Sequence, residues 1–260
     1  MNQGFDRNNL ERLYRQYNRR EYVHPDPLEF LYDYSNPQDQ EIVGLIASSL
    51  AYGRVAQILK SVSCVLNLLT PSPSLFLKDA SFNDLQNMFT GFKHRFATGN
   101  HISDMLIGTK QAIEKYGSLY TCFVAGFKEN DETILPALSF FVRKITDDGN
   151  LEPGHLLPLP EKGSACKRMN LFLRWMIRQD DVDPGRWKDI SQSKLIIPLD
   201  THMHRIALKA GLTSRKQTGI KTALEITSGF KKIIPEDPVR YDFVLTRIGI
   251  RDDIDTGDLF

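Results

Sequence analysis

A chain of 260 residues with 41% hydrophobic and 25% charged residues can bury a sizeable core, as one domain or as two interleaved subdomains. A formal net charge of +1 does not mark it as a nucleic-acid binder, and no run approaches the roughly 18 uninterrupted apolar residues of a membrane span. The opening MNQGFDRNNLERLYRQYNRR has no apolar stretch to serve as a signal peptide, so a cytoplasmic location without membrane contact is expected.

Cys64, Cys122 and Cys166 are odd in number, far apart and outside any CxxC pattern. That spacing argues against a disulfide framework, a zinc site or an iron–sulfur cluster, and no metal or other cofactor is expected. Cys64 and Cys122 fall on apolar helical faces and are expected as core thiols. Cys166 stands beside Lys167 and Arg168, where neighbouring cations favour a thiolate.

In chain order, nearly every segment has helical periodicity. Phe5 to Tyr17 carries Leu10, Leu13, Tyr14 and Tyr17 in an i, i+3, i+4, i+7 stripe. Leu28 to Tyr34 offers a short helix between proline-rich breaks. Gln38 to Tyr52 mixes Ile42, Leu45, Ile46 and Leu50 with small residues that permit close helix approach, so it is expected to be central. Gly53 interrupts, and Val55 to Leu69 follows with Val55, Ile58, Leu59, Val62 and Leu66. Short helices are expected near Leu75 to Lys78 and Asn83 to Met88. His101 to Phe127 reads as one long helix or two broken at Gly117, and Thr133 to Thr146 as another. Gly219 to Ile234 and Pro238 to Ile250 close the chain, the N-terminal helix being a candidate to pack on these last ones. Leu195-Ile196-Ile197 is the best strand candidate and too short to found a sheet. The fold class is all-α.

The stretch from Gly163 to Leu212 holds the chemistry. KRMNLFLRWMIR buries Met169, Phe172, Leu173 and Met176, widened by Leu171 and Trp175, and opens on Lys167 and Arg168. A lysine at a helix N-terminus beside a second cation is in a setting that favours the neutral amine a nucleophile needs; an exposed lysine snorkelling to water is the plainer account. PLDTH starts a second helix with Met203, Ile206, Ala207 and Ala210 on one side. Asp200 is placed as its N-cap, which explains it structurally and also favours the ionised carboxylate. Such a fixed anion can stabilise a developing sugar cation or orient an amine. His202 and His204 point to nearly opposite sides of a helix and do not make a metal pair.

Outside that stretch, Tyr52 and Arg54 follow the small-residue helix and are candidates to reach into a cleft; a helix C-cap with ordinary surface side chains is the alternative. Trp175 and Trp187 are core or interdomain residues before they are base-stacking platforms. From Thr201 to Lys232, seven Lys and Arg side chains face Glu225 alone, a local charge of +6. This is either a phosphate-facing patch or a solvated helical face.

PLDTHMHRIA resembles the V-D-T-H-x-x-R signature of helix–hairpin–helix DNA glycosylases, whose aspartate is essential to base excision. For the bifunctional members the resemblance implies a lysine nucleophile upstream, mapped best onto Lys167, with Arg168 and Lys162 as the alternatives for the group nearest the reaction. The long gap from Lys167 to Asp200 looks more like the archaeal 8-oxoguanine glycosylase branch than the endonuclease III branch. ACKRMNLFLRWMIRQDDVDPGRW and YDFVLTRIGIR resemble, more closely, an uncharacterised and largely bacterial family related to that branch. Two departures stand out: LPEKGSACKR replaces the Gly-rich hairpin L-P-G-V-G, and the four-cysteine motif of some relatives is absent.

The resemblance implies two helical subdomains with an active-site cleft between them. The expected division is 36–194, barrel-like with a degenerate hairpin, and 1–35 with 195–260, carrying Asp200. A damaged, oxidised base would be flipped out of double-stranded DNA. Lys167 would then attack the anomeric carbon while Asp200 stabilises the oxocarbenium-like transition state, and β-elimination could follow without a cofactor. Arg168, His202, Arg205, Arg215, Lys216 and Lys221 are the expected DNA contacts; Tyr52, Arg54 and Trp175 are the expected base pocket. The alternatives are a non-catalytic nucleic-acid-binding or scaffold protein that keeps the fold, and an enzyme acting on RNA or nucleosides.

Overall fold

The computed structural model describes residues 5–248, with the side chain of Asp148 left aside. The described chain is predominantly α-helical, as its periodicity requires. It divides into two compact units: an inserted unit, Pro25–Lys162, and a terminal unit made of Met1–His24 with Gly163–Phe260. The boundaries expected at 35/36 and 194/195 therefore move. Residues 163–194 join the C-terminal segment because the helix they contain is tied to acidic residues from that segment, described below.

The chain starts with α1 (Arg7–Tyr17), N-capped by Asp6, whose carboxylate accepts from the amide of Asn8; Leu10 and Leu13 are its buried side. The inserted unit follows. The segment expected as a short helix near Leu28 is a 3-10 helix, Pro27–Asp33. Next come α2 (Pro37–Ser49), α3 (Val55–Leu66), α4 (Pro73–Asp79) and α5 (Phe82–Met88). The two-residue strands β1 (Lys93–His94) and β2 (Ala97–Thr98) pair antiparallel, His94 opposite Ala97. Then come α6 (Gly99–Tyr116), α7 (Leu119–Ala125) and α8 (Leu135–Ile145). Gly117, at φ 92°, separates α6 from α7.

Small residues put α2 in the middle of this unit, and residues 39–49 are buried on all sides. Its buried polar first turn is satisfied by neighbouring helix ends. Asp39 accepts from the Ser72 hydroxyl and the Ser74 amide at the start of α4, and Glu41 accepts from the Leu119 amide at the start of α7. Gln40 donates to the carbonyls of Leu31 and Tyr34. Cys64 is exposed, a correction to the expected core thiol: the buried side of α3 is Ile58, Ser61, Val62, Val65 and Leu66, and Cys64 lies off it. Cys122 is buried as expected, and burial pushes its thiol up to about 12.

The terminal unit resumes with α9 (Lys167–Ile177), α10 (Thr201–Lys209), α11 (Ile220–Ile233) and α12 (Asp242–Ile248). The expected helix end at Ile250 lies outside the described residues. Met169, Phe172, Leu173, Trp175 and Met176 of α9 are fully buried with Met203, Phe230 and Phe243, each such side chain contributing roughly 1.5–3 kcal/mol by its removal from water. Leu195-Ile196-Ile197 is buried but forms no strand; Ile197 donates its amide to the Thr227 hydroxyl instead. As expected, α1 packs on the C-terminal helices: Glu11 accepts from Arg240 Nε (2.9 Å) and Tyr241 Oη (2.7 Å). No described helix is long and apolar enough to cross a membrane.

Candidate active site

Two helix starts in the terminal unit build the site. The turn before α9 is pinned from several directions. Gly163 O accepts from the Ile220 amide (3.1 Å), and Ser164 pairs with Gly219 in an isolated antiparallel bridge. Cys166, buried and in the left-handed region at φ 49°, donates its amide to Ser164 Oγ, while Asn170 Nδ2 donates to Ala165 O. Lys167 thus leaves a rigid turn rather than a fraying end.

Asp200 caps α10 as its position predicts: Oδ1 accepts from the Met203 amide at 2.8 Å. Its second oxygen, Oδ2, lies 3.7 Å from Lys167 Nζ, with the side chains 32% (Lys167) and 19% (Asp200) exposed. One oxygen is held by backbone and the other faces an amine. At 3.7 Å the contact is an ion pair rather than a direct hydrogen bond. Both groups are reachable from solvent and neither is loose.

Behind the pair runs a buried polar stripe. Lys167, Asn170, Arg174 and Arg178 recur at helical spacing along one face of α9, and the last three are buried. Arg174 pairs with Asp183 (3.2 Å) and Asp242 (2.5 Å); Arg178 pairs with Asp183, Asp180 (2.8 Å) and Asp237 (2.9 Å). Tyr14 donates to Asp180 at 2.8 Å. Four carboxylates surround two guanidiniums, so not every acid gains a full partner. Burial raises Asp183 and Asp237 and pushes Asp242 up to about 6, against the pull of Arg174 and with the charge of Asp200 adding to the rise. Asp180 is burdened by burial yet lowered, because Arg178 and the Asp183 and Val182 amides hold its charge. Asn170 Oδ1 and Asp242 Oδ1 are buried with no hydrogen-bond partner.

The remaining expected site residues separate into groups. Arg215, Lys216 and Lys221 are exposed and line one cavity of about 480 Å³ with Gly163, Gly219 and Thr222. This cavity opens at the start of α11, where Gly219 supplies no side-chain cap. Arg215 Nε is partly neutralised by Glu225 Oε2 at 2.7 Å. His204 Nε2 lies 2.8 Å from Arg215 O, fixing that loop. Arg205 is exposed on α10, while Arg168 and His202 are half-buried. Trp175 is fully buried, so it is core and cannot wall a base pocket. Tyr52 and Arg54 belong to the inserted unit; Tyr52 is half-buried and donates to His94 O, and Arg54 is exposed. Among the described residues, no three His, Cys, Asp or Glu side chains gather as a metal-holding group.

Reading the sequence missed Arg174, Arg178, Asp183, Asp237 and Asp242. A signal was present: two arginines four apart on the same side of the helix as Asn170, followed at once by QDDVD.

A family profile described as "Protein of unknown function (DUF2400)" matches residues 26–251. The chain belongs to the DUF2400 family. The DUF2400 match takes in Lys167, Asp200, the arginine stripe and its acids, but not α1. Neither the curated proteins nor the solved structures contain a match to this chain.

Proposed function

We propose that Lys167 and Asp200 are the reactive pair of a DNA glycosylase that removes a damaged base, with an associated β-lyase step. The observation that carries this reading is the 3.7 Å approach of Lys167 Nζ to Asp200 Oδ2 at the solvent boundary. Thirty-three positions separate them in sequence, and an amine nucleophile beside a fixed carboxylate is what base displacement at a sugar carbon requires. The glycosylase class comes from the resemblance of PLDTHMHRIA, in which Asp200 is the matching aspartate. The basic cavity of Arg215, Lys216 and Lys221 supports a polyanionic substrate.

In this chemistry Lys167 first gives up its ammonium proton to water, so that Asp200 stays a carboxylate. The Nζ lone pair forms a bond to the anomeric carbon, and the glycosidic bond breaks with its electron pair leaving on the base, which takes up a proton. Asp200, its Oδ1 still capping α10, offsets the positive charge that develops on the sugar ring. The resulting aminal opens to a Schiff base. Loss of the 2′ proton then expels the 3′ phosphate, and water releases Lys167.

The test is base release and strand cleavage on duplexes carrying a panel of damaged bases. Wild type should release a base and nick the strand, and Lys167→Ala should do neither. Tight, salt-sensitive binding with no turnover on any lesion would instead make the protein a nucleic-acid binder.

A further inference from the structure

The β1–β2 hairpin of the inserted unit ends on an aromatic ring that no core contact requires. Phe96 is 71% exposed, the most exposed of the large hydrophobic residues described. It shares the hairpin tip with Arg95, a non-glycine residue at φ 54°, a left-handed conformation that L side chains rarely adopt.

The tip is nonetheless held rigidly. His94 beneath it is buried, with Nδ1 2.9 Å from Ser61 Oγ and Nε2 3.0 Å from Tyr52 O, and its carbonyl accepts from Tyr52 Oη at 2.8 Å. Phe96 meets the His155 ring edge-on at 6.2 Å, and His155 Nε2 lies 2.8 Å from Tyr52 Oη. The His155 ring is in turn edge-on to His101 at 6.1 Å. The phenyl ring therefore stands on a chain of fixed rings while most of its surface meets water. The Arg95 guanidinium lies 5.6 Å from the Phe96 centroid, and its side chain runs over Gly53, where a β-carbon would come within 2.9 Å of Arg95 Cδ. Arg54, next to Gly53, and Lys93, at the foot of the hairpin, are exposed.

A pre-ordered, largely exposed phenyl ring with a guanidinium beside it matches the face of a planar heterocycle. The surrounding cations complement phosphates. We propose that Phe96 and Arg95 form a stacking site for one unpaired nucleobase of a nucleic acid, with Arg54 and Lys93 meeting the flanking phosphates. This inference rests on the nucleic-acid part of the reading above and not on chemistry at Lys167.

The test uses the full-length protein and fluorescence anisotropy of a labelled single-stranded oligonucleotide and of a base-free sugar–phosphate oligomer of equal length. Phe96→Ala should bind the base-bearing strand about tenfold more weakly than wild type, and the base-free strand equally well. Phe96→Trp should restore binding, and the introduced indole should be quenched by the base-bearing strand alone. Circular dichroism checks that both variants are folded. Equal affinity of Phe96→Ala and wild type, equal loss on both strands, or no binding by wild type would each overturn the proposal, the last leaving the ring to a protein partner. A lesion duplex that wild type and Phe96→Ala cleave and bind alike would sink this inference while the Lys167 reading stands. A Phe96 effect without any Lys167 chemistry would do the reverse.

Discussion

Arg174 Nη1 lies 2.5 Å from Asp242 Oδ2 inside the terminal unit, on the buried side of the same helix that presents Lys167. The half-buried pair and the buried pair are joined by one helical face and by electrostatics, since the charge of Asp200 is among the causes that raise Asp242. The site is therefore the outer end of a charged seam, and several measurable consequences follow from its construction.

Asp242 makes stability depend on pH in a defined direction. Burial pushes its carboxyl from 3.8 up to about 6. Between those values the folded state holds the proton that the unfolded chain has lost, so stability falls as pH rises through that window and levels off above it. The full excursion is on the order of 3 kcal/mol. Asp242→Asn removes the titration and leaves Arg174 its contacts with Asp183. Urea unfolding at several pH values should show the variant gaining on wild type from pH 4 to 6.5; parallel curves would reject the assignment.

Asp200 has two jobs that substitution can separate. Asparagine keeps an oxygen for the Met203 amide but removes the charge beside Lys167; alanine removes both. Asp200→Asn should therefore unfold close to wild type while losing about a hundredfold in base release. Asp200→Ala should lose about 1 kcal/mol of stability in addition. If the asparagine variant stays fully active, the carboxylate is only a cap.

The cations of the α11 cavity should not be equivalent. Arg215 is already paired with Glu225, whereas Lys216 and Lys221 line the same cavity and form no ion pair among the described residues. Neutralising both lysines should weaken DNA binding and reduce the salt dependence by roughly two counterions. Arg215→Ala should do less. A salt slope untouched by the double lysine change would remove this surface from the phosphate track.

In the inserted unit, Gly108 reverses a rule of helix chemistry. Alanine in place of a mid-helix glycine ordinarily stabilises by about 1 kcal/mol. Here a β-carbon on α6 would lie 1.7 Å from Ile145 O at the end of α8. Gly108→Ala should lower stability by about 2 kcal/mol or more, read by denaturant unfolding. A gain would mean the two helices do not approach so closely.

How far these features could be read from residues alone depends on how local their causes are. The start of α10 was legible because an aspartate before an amphipathic run has a single strong backbone role. The central place of α2 was legible because its small residues serve close packing. The break at Gly117 was one of two readings, and its positive φ decides it. Where partners come from far along the chain, the reading failed. Arg174 and Arg178 look like a solvated side until Asp237 and Asp242 arrive some sixty residues later to bury them, and the same long-range pairing moved the unit boundary from 194/195 to 162/163. The β1–β2 hairpin has two residues per strand, too few for any alternation to register. Cys64 was misplaced because a helical stripe is read to within one position, and one position is a hundred degrees of rotation; for Trp175 the stripe reading holds, and only the base-pocket role implied by the resemblance fails.

The central claim is that Lys167 Nζ bonds to a sugar carbon, and the most direct measurement is to reduce that bond in place. Borohydride added during incubation with lesion-bearing duplex should trap a covalent protein–DNA adduct, and digestion with mass spectrometry should place it on Lys167, with none formed by Lys167→Ala. Absence of an adduct across a broad lesion panel, or an adduct mapped to Lys162 or another amine, would contradict the account.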